Sequence, residues 1–199
     1  MAEASEQAGA VDEAAERDAE LVERLKGGDA RALDDLFRRH RDAAYLVAYR
    51  LLGNEEDALD VVQESFIHAM RGIQAFRGQS SFRTWFYRIV THAALDYRRW
   101  RMVRTTGSLG AEGAVDPEAT GPTHRSPLEE AEADDLREAI DKALANVSEK
   151  NRAALILFAL EGMSYKEVAE VLGISVGTVM SRIFNARQRL RELLASEIG

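Results

Sequence analysis

The stretch from Ser164 to Arg191 limits the fold of this chain more than any other. It reads Ser-Tyr-Lys-Glu-Val-Ala-Glu-Val-Leu-Gly-Ile-Ser-Val-Gly-Thr-Val-Met-Ser-Arg-Ile-Phe-Asn-Ala-Arg-Gln-Arg-Leu-Arg. Val168, Ala169 and Leu172 fall on one face of a short helix. Gly173 follows where a helix commonly ends in a left-handed residue. Ile174 is an apolar plug between two helices, and Ser175 is placed to accept a bond from the Thr178 N–H and start the second. That second helix is expected to bury Val179, Ile183 and Leu190. The layout is that of a helix-turn-helix, whose second helix enters a DNA major groove.

Charge supports the same reading. Between Val176 and Arg191 stand Arg182, Arg187, Arg189 and Arg191, with no acid among them, a stripe suited to a phosphate backbone. Ser181, Phe184 and Asn185 are expected to face outward, where hydroxyl, ring and amide can meet base edges. An ordinary amphipathic C-terminal helix, with basic residues favoured by its dipole, is the alternative. The Gly-Ile-Ser turn with apolar positions on both sides favours the helix-turn-helix.

The chain of 199 residues allows one large or two small domains. It has no cysteine, so disulfides, thiolate metal sites and thiol redox sensing are excluded. The N-terminus is acidic and Ala-rich without an apolar signal core, and the longest apolar run, Ala153 to Leu160, is too short to span a bilayer. A cytoplasmic location is expected. The formal net charge of −8 opposes nucleic-acid binding when taken whole. Its distribution reverses the argument. Acids gather before Leu21 and between Glu112 and Glu138, whereas Arg83, Arg88, Arg98, Arg99, Arg101 and Arg104 face Asp96 alone within their segment. Screening cuts off distant charge within ~10 Å, so local sign governs an elongated partner.

The pattern is helical throughout, and no segment alternates as a strand does. Residues 1–18 are expected to be a disordered acidic tail. Residues 19–102 form a first helical domain. In it a short helix carries Leu21, Val22 and Leu25; Asp29 caps the next, which Gly53 ends; and Asn54 caps a third. The third helix is expected to bury Ala58, Val61, Val62, Ser65, Phe66, Ala69 and Met70 and to leave Asp57, Asp60 and Glu64 opposite, with Gln63 and His68 beside them. An acidic face of this kind is either a solvated surface or a docking surface. After the turn Phe76 to Ser81, Ser80 or Ser81 caps a fourth helix reaching about Arg101. Its rings (Phe82, Trp85, Phe86, Tyr87, Tyr97 and Trp100) alternate with cations. Core packing explains Phe82, Trp85 and Ile89; Arg98, Arg99 and Arg101 suit a single-stranded nucleic acid better. Residues 103–127 hold several Gly and Pro and are expected to be a flexible linker. Residues 128–199 form a second domain, with a helix from Leu128 to Ala145, another capped by Ser148, and the helix-turn-helix.

Three motifs in this order resemble the extracytoplasmic-function (ECF) sigma factors of bacterial RNA polymerase. Asp57-Ala-Leu-Asp-Val-Val-Gln-Glu-Ser-Phe66 is similar to the family's polymerase-binding helix. Phe76-Arg-Gly-Gln-Ser-Ser-Phe-Arg-Thr-Trp-Phe-Tyr-Arg-Ile89, continued by Leu95-Asp-Tyr-Arg-Arg99, is similar to its reader of the minus-ten element. Glu161-Gly-Met-Ser-Tyr-Lys-Glu-Val-Ala169 with Gly177-Thr-Val-Met-Ser-Arg182 is similar to its region four. The resemblance implies an all-α fold of two small helical domains. Asp57, Asp60, Gln63 and Glu64 would then meet the clamp helices of core polymerase, and the apolar outer face of the second domain would hold the flap tip. Phe76, Arg77, Gly78, Gln79 and Ser80 would hold a flipped base of the minus-ten element. Arg83, Trp85, Arg88, His92, Arg98 and Arg99 would lie along the opened strand. Ser175, Thr178, Met180, Ser181, Arg182, Phe184, Asn185, Arg187 and Arg189 would read the minus-thirty-five element as duplex. An anti-sigma factor is implied as a further partner, and no cofactor or metal. The chain departs from the family pattern at His92, where Asn is usual, at Met180, where Arg or Lys is frequent, at Val147-Ser148, which replaces a common Leu-Pro, and in an acidic tail before Leu21 longer than the shortest members need.

Two other functions compete with this one. A plain transcriptional regulator would use the helix-turn-helix but needs neither the acidic face nor the aromatic-basic helix, and it would bind duplex DNA unaided. An enzyme finds no support: His40, His68, His92 and His124 are scattered, with no His-Glu-x-x-His, phosphate loop or Gly-x-Ser-x-Gly.

Overall fold

The structure, a computed structural model, describes residues 2–106 and 139–198. Among these, every regular element is a helix. Helix α1 spans Ala2–Lys26, α2 Ala30–Leu52, α3 Glu55–Gly72 and α4 Phe82–Thr106, with a 3-10 turn at Ile73–Ala75. Residues 139–145 are helical and form α5. Then come α6 (Glu149–Ala159), α7 (Tyr165–Leu172) and α8 (Val176–Ile198). Of the linker expected over 103–127, residues 103–106 belong to α4; the rest of it and the first part of the helix expected from Leu128 lie outside the described residues.

Local chemistry sets most of these boundaries. Asp29 accepts a bond from the Arg31 N–H at 3.0 Å and opens α2. Gly53, at φ +71°, closes α2 by donating its N–H to the Tyr49 carbonyl. Asn54 accepts from the Asp57 N–H at 2.9 Å and opens α3. Ser81, not Ser80, caps α4, its hydroxyl accepting from the Thr84 N–H at 3.1 Å. Asp29, Asn54 and Ser81 each satisfy a first-turn amide that no intrahelical carbonyl can reach.

Three expectations need correction. Helix α1 begins at Ala2, where the sequence suggests an unstructured tail up to residue 18. Few apolar residues argued for disorder there, but alanine has the highest helix propensity of all residues. Helix α4 also outruns its expected end near Arg101 and reaches Thr106. Ser148 occupies the N-cap position of α6, yet its side chain makes no capping bond. Its carbonyl instead accepts from the Asn151 and Arg152 amides at 3.0 and 2.8 Å.

The first unit is held by one face from each of α1 to α4. Leu21 and Val22 meet Leu36, Val47 and Leu51 of α2, Val61, Val62 and Phe66 of α3, and Phe82, Phe86 and Val90 of α4 in one buried cluster. Aromatic contacts run through it: Phe37 to Phe66 at 4.6 Å, Phe66 to Phe86 at 4.3 Å, and Phe82 stacked on Phe86 at 5.9 Å. Such pairs add to the burial of their area.

The C-terminal unit packs on this bundle. Helix α7 lies against α4, and α6 against α2. Arg152 of α6, only 3% exposed, sits at the seam. Its guanidinium donates to the carbonyls of Leu51 (3.3 Å), Ala145 (2.9 Å) and Val147 (3.0 Å). Burial first, then the charge of Arg98, pushes Arg152 down to about 10, which leaves it cationic at neutral pH. Arg50 of α2 pairs with Asp141 of α5 nearby.

Within the first unit, Asp18 is the main polar tie between α1 and α2. It is 3% exposed and accepts from Arg39 Nε at 2.7 Å and His40 Nε2 at 2.8 Å. Burial alone would raise the Asp18 carboxyl, but His40 and then Arg39 outweigh it and hold the group below its ordinary 3.8. A depressed carboxylate stabilises the fold above the ordinary value and loses that contribution as pH falls through the folded one. Asp18→Ala is therefore expected to cost about 2 kcal/mol at neutral pH, because it leaves the buried His40 without its partner, whereas the exposed Arg39 can turn to water. The deficit should shrink in acid below pH 3.8; urea melts of both proteins at pH 7 and in acid measure it.

Candidate nucleic-acid interface

The helix-turn-helix is built from strong local signals. Ser164 and Glu167 form a reciprocal capping box: the Ser164 hydroxyl accepts from the Glu167 N–H (3.2 Å), and the Glu167 carboxylate accepts from the Ser164 N–H (2.8 Å). Val168, Ala169 and Val171 are the buried face of α7, with Leu172 half-buried beside them. Gly173 stands at φ +64° and ends α7. Two residues later Ser175 accepts from the Thr178 N–H at 3.2 Å, the cap expected for α8. Val179, Ile183 and Ala186 are buried on α8, and Leu190 is half-buried.

The opposite face of α8 is open. Met180, Ser181, Phe184, Asn185, Arg187 and Arg189 are exposed there, with Ser175 and Thr178 at its start. Phe184 is the most open large apolar side chain of the helix-turn-helix, at 65%. Arg182 is half-buried, in a recess it shares with His92, Arg99 and Lys150. Arg187 lies 5.3 Å over the Phe158 ring, which steadies its guanidinium. The duplex-reading residues expected from the sequence thus share one surface, Arg182 excepted.

A second surface runs between α3 and α4. A cleft of ≈ 410 Å³ is lined by Glu64, Ser65, His68, Trp85, Arg88, Ile89, His92, Ala93 and Asp96. It unites three of the residues expected along the opened strand: Trp85, Arg88 and His92. Trp85 and Ile89 are half-buried cleft walls, and Phe86 and Val90 take the central core positions. The loop before α4 presents Arg77, Gly78 and Gln79 to solvent, with Ser80 half-buried. Phe76 turns inward and packs on Trp85 at 5.0 Å.

Other expected contacts are drawn elsewhere. Arg98 donates to the Leu51 carbonyl at 2.9 Å, at the carbonyl end of α2 beside Arg152. Arg99 is exposed and paired with Asp96. Arg83 and His92 are engaged by the C-terminal unit. Arg83 bonds Glu161, and His92 Nε2 lies 3.0 Å from the Val171 carbonyl, donating to it. On α3, Asp60, Gln63 and Glu64 are exposed in a row. Asp57 is not free: it accepts from the Tyr97 hydroxyl at 2.5 Å and pairs with Arg101. Among the described residues no cluster of His, Cys, Asp or Glu could hold a metal ion, and no helix is long and apolar enough to cross a membrane.

Sequence reasoning passed over Arg152, whose one visible signal is a cation at the head of the apolar run Ala153 to Leu160. It also took Tyr87 only as a ring, whereas its hydroxyl is bonded to Glu161.

The comparisons with known proteins follow this geometry. Residues 36–102 match the Sigma-70 region 2 family and residues 137–190 the Sigma-70, region 4 family. Those two regions in that order define a sigma factor. The ECF RNA polymerase sigma factor SigE of Mycolicibacterium smegmatis is 38% identical over 180 residues, covering 84% of this chain and 65% of that protein. The ECF RNA polymerase sigma-E factor of Haemophilus influenzae is 36% identical, covering 87% of this chain and 93% of its own. The RNA polymerase sigma-H factor of Pseudomonas aeruginosa is 36% identical, covering 90% and 94%. The chain belongs to the ECF RNA polymerase sigma factors. Among solved structures, CnrH in complex with the cytosolic domain of CnrY superposes with a TM-score of 0.68 at 29% identity, covering 90% of this chain and 98% of that one. The sigma factor RpoE in complex with the anti-sigma factor NepR from Bartonella quintana gives a TM-score of 0.67 at 26% identity, covering 81% and 96%.

The angle of α8 depends on the left-handed Gly173. An alanine there meets no neighbouring atom within 4 Å, so the penalty of Gly173→Ala is conformational, about 1 kcal/mol. Thermal unfolding should register that loss as a lower midpoint, with the helical circular dichroism of the folded state unchanged.

Proposed function

We propose that this sigma factor docks on core RNA polymerase through the exposed face of α3 and directs it to promoters by reading two DNA elements. Helix α8 reads the minus-thirty-five element as duplex. The Phe76 to Ser81 loop and the α3–α4 cleft take the opened minus-ten strand. The observation that carries this reading is the outward row of α8, where Met180, Ser181, Phe184, Asn185, Arg187 and Arg189 stand exposed on a helix anchored by Val179, Ile183 and Ala186.

The chemistry matches the two states of the DNA. A duplex offers its code in the major groove, which an α-helix fits. An opened strand offers unstacked bases and phosphates, which want flat apolar walls and cations. Trp85 with Arg88 supplies both in the cleft. His92 lines the same cleft and can meet the strand through the ring nitrogen that the Val171 carbonyl does not hold. Asp60 and Glu64, exposed on α3, suit a basic partner such as the polymerase clamp helices. Asp57 contributes to that surface only through the field it shares with Arg101. The solved structures of similar sigma factors include one bound to an anti-sigma factor, and we extend that class of partner to this chain. The work is that of an initiation factor acting with the polymerase inside the cell, without catalysis of its own.

Run-off transcription with purified core polymerase, on the genomic fragment upstream of this protein's own gene, tests the reading. The wild type should yield a discrete transcript; none on any template would sink it. Asp60→Lys with Glu64→Lys should abolish both the transcript and co-elution with core while circular dichroism stays unchanged. Arg187→Ala with Arg189→Ala, both on the exposed face of α8, should leave core binding intact. It should weaken binding to the upstream element and lower the slope of affinity against salt by roughly one to two, as each lost phosphate contact predicts.

A further inference from the structure

Glu161 closes the C-terminal unit onto α4 through two donors that one turn of that helix brings together. Arg83 donates to the Glu161 backbone carbonyl and, at 3.4 Å, to its Oε2. The Tyr87 hydroxyl donates to the same Oε2. The two donors are four residues apart on α4, so they share a face, and the Arg83 guanidinium lies 5.3 Å over the Tyr87 ring. Tyr87 is 1% exposed, and the Glu161 side chain is 7% exposed. Burial, then the charge of Glu161, pushes the Tyr87 phenol well above its ordinary 10, so it stays protonated and remains a donor. The left-handed Gly162 follows directly and turns the chain so that α7 can lie along α4.

Guanidinium and phenol converging on one oxygen recognise an anion, and neither distinguishes carboxylate from phosphate. Both stand on the helix whose exposed side carries Arg88 and whose His92 is held by the Val171 carbonyl of α7. We propose that Arg83 and Tyr87 form an anion site for a phosphate of the opened strand, which Glu161 fills as an internal stand-in while the two units are closed. The inference rests on the reading of α4 as the surface for opened DNA. It adds Tyr87 to that surface and makes closure and strand binding compete for the same donors. A strand that reaches Arg83 must displace Glu161, and with α7 lifted His92 is released too. Because one ligand excludes the other, removing the internal one raises the apparent affinity for the external one.

The test uses the full chain and a fluorescein-labelled single-stranded oligonucleotide of mixed sequence, followed by anisotropy at fixed low salt. Glu161→Gln, which keeps the shape and removes the charge, should bind about tenfold tighter than wild type, the scale of a lost charged hydrogen bond. Glu161→Ala should do the same. Glu170→Gln makes the same charge change at an exposed position of α7 and should shift affinity less than about twofold. Adding Arg83→Gln to Glu161→Gln should remove the gain. The native chain has no cysteine, so dyes at Arg71→Cys and Gln188→Cys report closure directly; energy transfer should fall in Glu161→Gln and fall further with the oligonucleotide. If Glu161→Gln binds no tighter than Glu170→Gln, or the gain survives the loss of Arg83, the anion site is wrong. Wild-type run-off transcription separates the two levels: a normal transcript with no Glu161 effect overturns this inference alone, and no transcript overturns the sigma-factor reading beneath it.

Discussion

Helix α4 is packed on one side so completely that its remaining sides settle what the molecule can do. Phe86, Val90, Thr91 and Ala94 have no measurable exposure, and Phe82 has little. That row repeats every three to four residues and fixes the rotation of the helix against α2 and α3. With rotation fixed, Trp85, Arg88 and His92 must line the cleft beside α3, and Arg83 and Tyr87 must face the C-terminal unit. The aromatic contacts among Phe37, Phe66, Phe82 and Phe86 resist any rolling of the helix, because interiors at this density do not deform gradually. The cleft beside α3 and an interdomain surface are therefore set by one core.

The seam between the units is polar at its ends and apolar in its middle. Arg152 and Arg98 both donate to the Leu51 carbonyl, at the negative end of the α2 dipole. Arg50 with Asp141 and Arg83 with Glu161 add charge pairs on either flank. Buried pairs of this kind contribute little net stability relative to apolar packing, but a mispaired register would leave a charge without a partner. They specify one way of closing more than they strengthen it.

Legibility in the sequence followed the range of the interaction. Asp29, Asn54, Ser175 and the glycines at 53 and 173 act on amides within four residues, and each stands where the pattern put it. The buried rows of α3 and α8 follow from periodicity alone. Ser148 has the right residue type at the right place, but its carbonyl bonds suffice to start α6, and its hydroxyl is not recruited. The engagement of Asp57 by Tyr97, of Arg98 by Leu51 and of Arg83 by Glu161 spans 40, 47 and 78 residues. No local rule reaches so far, so these groups read as free surface charge when only the chain is in view. The cleft likewise depends on how two helices cross, which periodicity does not encode.

The reciprocal Ser164–Glu167 cap and the short turn through Gly173 leave the helix-turn-helix almost no slack. Ordering a flexible reader would charge its entropy against every encounter with a base sequence. Here that ordering is complete in the free chain, so in the proposed reading of the upstream element the choice between near neighbours falls to the side-chain tips of α8. Substitutions at those exposed tips can then accumulate without disturbing the frame that carries them.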